Sequence, residues 1–443
     1  MVSAVELTIH RGAHEIGGSC VELRSASGGT RVLLDIGMPL VNPDSSPFNW
    51  RKHKEHSQPQ LIADGVLPRI DGLFAGDSPA VAAVLLSHAH QDHYGLLRFV
   101  HPDIPLFMSR GTKSLAEVSN LFLDTAVRID KVKTFAMWRP FRVGEFAITP
   151  YLMDHSAPDT VAFLIEVDGQ RVFYTGDFSG HGRKGVLLDR ITRNPPADID
   201  YLLMEGSMMG RDEGPYPDED AVEEVIYKVI HDQESHTFIF CSSQNLDRLV
   251  SVYRAAKRAQ KTLVIDLYTA FVLDKLRCIS SSIPQFDWSE VRVLYAYSHA
   301  RKLAELDKRL LYKYKKARIE VEELRESARE MVVLSKDNPY FRALLRKLDA
   351  DSTAKCIYSM WHGYLERNNL ARVLDSRGIA LLEIHTSGHA YVSQLKMLAD
   401  ALKPRFVIPI HTFHPESYAG LFPSVLQLHD GETISLEKGG PGP

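Results

Sequence analysis

Six consecutive residues, His88-Ala-His90-Gln-Asp92-His93, limit what this chain can fold into more than any other feature. They follow the apolar run 80–86 and Ser87, so four ligand-type side chains emerge from the end of a buried strand. Packing offers no reason for that density, because imidazoles and carboxylates go inside only when paired or bound to metal. On an extended segment alternate residues share a side, so His88 and His90 point together, while Asp92 and His93 turn toward a neighbouring position. Zinc takes imidazole and carboxylate ligands at about 2.0–2.2 Å. Two ions about 3.5–4 Å apart share a bridging hydroxide and clamp the attacking and leaving oxygens of a displacement. One short loop can therefore serve two metals if other segments complete their shells.

Other apolar runs do end on residues of that kind. Arg31-Val-Leu-Leu ends at Asp35, 147–153 leads to Asp154-His155, and Tyr201-Leu-Leu-Met ends at Glu205. The runs 161–167 and 171–174 flank Asp168-Gly169, a two-residue hairpin signal, and the second leads to Gly176-Asp177. The run 405–410 ends at His411. Strands that terminate in such residues predict one sheet edge gathering ligands from distant positions. His155 and Asp177 are the next candidates for the metals, Asp177 as a bridging carboxylate. His10, His14, His53, His56, His231 and His429 have no such placement and read as ordinary histidines.

After Glu205 the pattern changes. The stretch 206–220 is rich in glycine, proline and acid, and 221–231 reads as a helix. Strand candidates 237–241, 262–267, 291–296, 330–334 and 355–360 then alternate with helices, predicting a mostly parallel sheet. Ligand-bearing strands resume at Ile379, so the expected fold class is α/β: a first domain in two parts, 1–207 and 379–443, interrupted by an inserted α/β unit, 208–378. The polar connection 41–79 is expected to be a functional loop or poorly ordered.

Composition narrows the class. The chain has 443 residues, 44% hydrophobic and 24% charged, as a soluble globular protein does. No apolar run approaches the roughly 20 residues that span a bilayer, and residues 1–12 lack the pattern of a signal peptide. Cys20, Cys241, Cys278 and Cys356 are scattered, which argues against a disulfide framework or a thiolate zinc site and for a reducing cytoplasm. A net charge of -4 excludes a generally basic surface, so a polyanion would have to be drawn by a local cleft or bound metal.

The strand-terminal Asp35, the HxHxDH run, the lone His155 and the lone Asp177 resemble, in order, the metallo-β-lactamase superfamily. That resemblance implies an αββα sandwich. Glu205, the returning His385-Thr-Ser387-Gly388-His389 and His411 in Ile-Pro-Ile-His, together with the insertion, resemble the β-CASP nucleases, most closely the ribonuclease J group. The resemblance covers nearly the whole chain, including Gly65-Val-Leu-Pro68 before the HxHxDH strand. It implies two Zn2+, with Mn2+ or Mg2+ able to replace them. His88, His90 and His155 would hold one ion, Asp92, His93 and His411 the other, and Asp177 both, with Asp35 supporting the site. It further implies that Asp92 orients the attacking hydroxide, that His389 acts at the leaving oxygen, and that Glu205 orients His389. His385, Ser387 and the Gly388 amide would contact phosphate. Phe240-Cys-Ser242-Ser243-Gln-Asn245-Leu-Asp-Arg248 resembles a strand-to-helix turn of the inserted domain, where Ser243 would bind phosphate or merely cap the helix.

The implied partner is single-stranded RNA, cut endonucleolytically, from the 5′ end, or both, with no membrane and with a homodimer among the allowed states. A histidine at position 411 accompanies the RNA-cleaving members of that family. The alternatives are a DNA nuclease of the same family and a small-molecule hydrolase of a lactone, thioester or cyclic nucleotide. Two departures stand out: the family's additional C-terminal domain has no counterpart here, and the glycine-rich opening reads Gly12-Ala-His-Glu-Ile-Gly17-Gly18. The basic stretch 301–318, with an apolar stripe of Leu303, Leu306, Leu310, Tyr314, Ala317 and Val321, reads as a solvated helix.

Overall fold

Apolar residues on both faces of successive strands demand cover on both sides, and that dictates layers. In the computed structural model, which describes residues 4–44, 46–122, 127, 129 and 131–437, the chain forms three sheets. The first runs Glu432–Leu436, Val5–Arg11, Cys20–Arg24, Arg31–Leu34, Ala83–Leu85, Leu106–Met108, Val132–Thr134. The second runs Phe406–Ile410, Tyr201–Glu205, Gln170–Tyr174, Val161–Val167, Phe146–Leu152, Phe141–Val143. Their inner faces pack together: Leu7, Leu23, Leu34 and Leu85 meet Ile148, Phe163, Tyr174, Leu203 and Ile408 in one cluster. The alternate residues Leu164, Phe173, Leu202 and Met204 turn outward beneath Leu188, Leu395, Leu398 and Leu402 of two covering helices. Period-two alternation with apolar residues on both sides thus produces the αββα sandwich. Each fully buried Leu, Ile or Phe contributes about 1.5–3 kcal/mol.

The inserted unit is a wholly parallel sheet in the order Arg318–Ile319, Val291–Leu294, Thr262–Asp266, Met331–Ser335, Thr237–Phe240, Lys355–Tyr358, Ala380–Glu383. Two of its strands differ from the sequence expectation. Ala380–Glu383, expected to open the return at Ile379, pairs with Lys355–Tyr358 and forms the edge of the inserted sheet. The last inserted βα unit therefore runs past the expected 378/379 boundary, since a strand's apolar pattern does not reveal its neighbour. The two-residue edge strand Arg318–Ile319 is too short to leave any pattern. Residues 1–3 and 438–443 of the expected domain limits lie outside the described residues.

Three further expectations change. The strand expected over 80–86 is only Ala83–Leu85. The connection 41–79 is packed: it contains Trp50–Lys52 as a 3-10 turn and the helix Gln58–Ala63, and buries Leu61, Val66, Leu67, Leu73 and Phe74. The basic helix spans Tyr297–Tyr314 but breaks at Asp307 (φ -160°), so Leu303 is buried while Leu306 faces solvent. No helix among the described residues is long and apolar enough to cross a membrane.

Candidate metal centre

Strands Arg31–Leu34 and Ala83–Leu85 are parallel, and so are Gln170–Tyr174, Tyr201–Glu205 and Phe406–Ile410. Their C-terminal ends open on one edge of the sandwich, which brings Asp35, His88, Asp177, Glu205 and His411 together. His155 joins them from the end of Phe146–Leu152. Asp35 (φ 59°) and His411 (φ 52°) are left-handed, and that turn swings each side chain off its strand into the centre. The HxHxDH loop passes so close to residue 37 that a Cβ there would lie 1.7 Å from the Asp92 carbonyl, which reserves the position for glycine.

Two four-residue groups result, each with one potential ligand atom per residue within 4.8 Å of the others: His88, His90, His155 and Asp177, and Asp92, His93, Asp177 and His411. Asp177 belongs to both. Its Oδ1 lies 3.1 Å from His93 Nε2 and 3.7 Å from His411 Nε2. Its Oδ2 lies 3.7 Å from His88 Nε2 and 3.9 Å from His155 Nε2. His90 Nδ1 stands 3.1 Å from both His88 Nε2 and His155 Nε2.

These residues fit divalent metal. Both Asp177 oxygens, His93 Nε2 and His411 Nε2 are buried without a hydrogen-bond partner, and each such vacancy costs about 1–3 kcal/mol unless something binds there. Ligands about 2.0–2.1 Å from a tetrahedral ion stand roughly 3.3 Å apart, close to the separations of the converging imidazoles. Burial, reinforced by neighbouring imidazoles, holds His88 and His155 well below the ordinary histidine range, and His90 and His411 are lowered as well. Neutral imidazoles are the form that ligates.

Outer partners set which nitrogen faces the centre. Asp35 Oδ2 accepts from His93 Nδ1 at 2.8 Å, Ser87 Oγ at 2.7 Å and Tyr174 Oη at 2.7 Å, and its Oδ1 accepts from the Ser87 amide at 2.7 Å. Ser87 Oγ in turn lies 3.0 Å from His88 Nδ1. His155 Nδ1 donates to the Gly388 carbonyl at 2.8 Å, and His411 Nδ1 meets Ser19 Oγ at 2.8 Å. Four of these histidines thus have Nδ1 engaged from outside and Nε2 turned to the centre, and His93 Nε2 and His411 Nε2 have no hydrogen-bond partner there. Asp35→Asn, which cannot satisfy all these donors, is expected to weaken metal affinity about 10–100-fold, read by competition with a chelator.

Glu205 and His389 adjoin this core, His389 Nδ1 lying 3.2 Å from Glu205 Oε1 and 3.7 Å from Asp177 Oδ2. The Phe178 and Ser207 amides also donate to the Glu205 carboxylate, at 3.2 and 3.0 Å. Burial lowers the His389 imidazole, but Glu205 and Asp177 outweigh it and push it up to about 9.

The remaining expected residues divide. Ser387 Oγ accepts from the His389 amide at 3.1 Å, and the Ser387 carbonyl lies 2.8 Å from His181 Nε2. His385 is pushed down to about 3 by burial and by Arg248, whose Nη1 is 3.2 Å from its Nδ1. Ser243 differs from expectation: it is only 2% exposed, and its hydroxyl is spent on Thr269 Oγ1 at 2.6 Å. The helix cap there is Asn245, whose side chain accepts from the Arg248 amide. His53 and His56 also meet Asp64, the His56 bond being 2.7 Å, in a partly exposed group away from the strand ends.

Sequence reasoning passed over Tyr174, Ser87, Ser19, His181 and, above all, Arg248. The Arg248 guanidinium is fully buried, donating to Glu219 at 2.7 Å, to the Ser359 carbonyl at 2.9 Å and to the Thr386 carbonyl at 3.2 Å. It ties the inserted sheet to the loop 385–389. Arg248→Met strands the Glu219 carboxylate and is expected to cost about 3–5 kcal/mol, measured by urea unfolding. The only available signal was an arginine on the apolar face of helix Leu246–Arg258.

Comparison with known proteins agrees with this geometry. The Beta-lactamase superfamily domain matches residues 44–224. Ribonuclease J of Sinorhizobium meliloti is 26% identical over 407 residues, covering 86% of this chain and 67% of that protein. Ribonuclease J of Mycobacterium tuberculosis is 25% identical over 423 residues, covering 87% and 69%. An RNase J-like protein of Methanocaldococcus jannaschii is 27% identical over 214 residues, covering 46% and 42%. Among solved structures, a protein of unknown function from Enterococcus faecalis shares the fold with a TM-score of 0.76 at 20% identity, covering 98% of this chain and 100% of its own.

Proposed function

We propose that this chain, which carries a match to the Beta-lactamase superfamily domain and is similar to ribonuclease J proteins, is a zinc-dependent ribonuclease of the cytoplasm. It hydrolyses phosphodiester bonds of single-stranded RNA, endonucleolytically, from the 5′ end, or both. The observation that carries this reading is the pair of four-ligand groups sharing Asp177, with the Glu205–His389 pair set against them.

In this reading His88, His90, His155 and Asp177 hold one zinc ion, and Asp92, His93, His411 and Asp177 hold the other. When bound, the ions supply an acidified water and neutralise charge developing on phosphorus. Asp92, whose Oδ2 lies 3.8 Å from His411 Nε2, would accept a hydrogen bond from the attacking water and aim it. His389, fixed through Nδ1 by Glu205, turns Nε2–H toward the departing oxygen and gives up its proton as the P–O bond breaks. His385, Ser387 and Gly388 line the path of the phosphates. Ser243, with its hydroxyl committed to Thr269, supports the turn from behind.

The test couples metal analysis to cleavage of end-labelled RNA and DNA of one sequence, carrying 5′-phosphate or 5′-hydroxyl, with lactone and thioester substrates alongside. RNA cleavage by protein holding about two zinc ions per chain is the expected result. Zinc-loaded protein that cuts neither nucleic acid sinks the nuclease reading, and preference for DNA moves it to the other branch.

A further inference from the structure

The C-terminal edge of the inserted sheet carries an aromatic pair that the metal chemistry does not use. Strands Thr237–Phe240, Lys355–Tyr358 and Ala380–Glu383 are adjacent and parallel, so the segments 241–245, 359–364 and 384–389 leave the sheet on one edge. The last of these delivers His385 and His389 to the cleft. The middle one places Trp361 at the N-cap of helix His362–Glu366, with Tyr364 three residues on. Trp361 is 40% exposed and Tyr364 47%, their rings edge to face with centroids 5.3 Å apart. Open α/β sheets bind ligands along this edge.

The indole is held in place. A Cβ on residue 363 would lie 2.3 Å from Trp361 Cη2, so the ring rests over Gly363. Two guanidiniums flank it, Arg211 at 5.5 Å and Arg367 at 5.4 Å from the ring centroid. Arg183, Arg248, Arg258 and Arg342 all pair with carboxylates. Neither Arg211 nor Arg367 has a carboxylate partner within 4 Å among the described residues. Arg211 follows Glu205 on the stretch leaving the sandwich, whereas Arg367 belongs to the insertion, so the indole sits across the seam between the two. Partial burial, and then the Asp92 carboxylate, raise the Tyr364 hydroxyl; partial burial lowers Arg211 against the pull of Glu205.

We propose that Trp361, edged by Tyr364, is a stacking platform for one nucleobase of single-stranded RNA, and that Arg211 and Arg367 hold the phosphates flanking that base. This rests on the ribonuclease reading above and adds how the strand is gripped. Every base has a π face, so stacking tolerates any sequence, and arginine combines cation–π contact with charge. A chain of net charge -4 needs such a local cationic contact to hold a polyanion. A base within a duplex is already stacked on both sides, so the platform selects unpaired strands.

The experiment measures cleavage by zinc-loaded wild type, Trp361→Ala and Trp361→Phe on an RNA oligonucleotide and on versions carrying one abasic residue at successive positions. Wild type should lose about tenfold in KM when one particular position is abasic. Trp361→Ala should show about that loss on intact RNA and no further loss at that position, the signature of a coupled pair. Trp361→Phe should recover most of the affinity, and Gly363→Ala, which displaces the indole, should fall between. An unchanged KM in Trp361→Ala, or undiminished sensitivity to the abasic position, overturns the platform while leaving the ribonuclease reading intact. Failure of wild type to cleave RNA overturns both.

Discussion

Asp177→Asn is expected to reduce cleavage about a thousandfold or more and to lower the metal content of the purified chain. Electrostatic stabilisation by a bound ion supplies several kcal/mol, and each 1.36 kcal/mol is about a factor of ten in rate. The amide is isosteric, and neither Asp177 oxygen has a hydrogen-bond partner within the protein. The change therefore removes a ligand without removing a hydrogen bond. It also touches both groups at once, which no substitution among the six other ligands does. Thermal unfolding with and without zinc gives a readout independent of activity. Wild type should gain about 4 kcal/mol at a thousandfold excess of ion over its Kd, and the variant much less. Full stoichiometry and full turnover in Asp177→Asn would remove the shared carboxylate from the account.

His389→Ala is expected to behave differently: kcat should fall about 10²–10⁴-fold while metal content stays near that of wild type. The imidazole is absent from both four-residue ligand groups and is anchored instead by Glu205. Glu205→Gln should reproduce part of the loss, about 10–100-fold. Its single amide oxygen can accept from only one of the Phe178 and Ser207 amides, which reach different carboxylate oxygens, and it would orient His389 less well. Undiminished turnover in His389→Ala would exclude it from the proton transfer. His93→Ala provides the contrast, since it should lose metal and activity together.

What the sequence reveals here depends on how far apart the cooperating residues stand. Alternation within Val161–Val167 or Tyr201–Glu205 is local, so the double-faced strands and their ligand-type ends are readable directly. The candidate ligands are legible for a similar reason, since they follow strand ends directly or, like His90, Asp92 and His93, sit in the short loop and helix Gln91–Tyr94 just beyond one. Their supports are not. Tyr174 reaches Asp35 from 139 positions away, and Arg248 reaches Thr386 from 138, and an arginine carries no mark of its acceptors. Strand neighbours are equally hidden, hence the edge strand Ala380–Glu383 assigned to the wrong side of the insertion. Ser243 misleads because a hydroxyl at a helix start looks the same whether it faces a ligand or a buried threonine. The break at Asp307 has no proline or glycine to announce it.

Gly17 and His411 meet although they stand 394 positions apart, and Val5 pairs with Leu436. Such separations make chain order a safeguard. As the polypeptide emerges from the ribosome, the inserted sheet is complete once Glu383 is out, and local βα units close early. The second ligand group still lacks His411, and strand Tyr201–Glu205 still lacks its parallel neighbour. An unfinished chain, still tethered beside the messenger it is being read from, therefore holds an incomplete centre. On the proposed ribonuclease reading, cutting must wait until strand Phe406–Ile410 and His411 have been made.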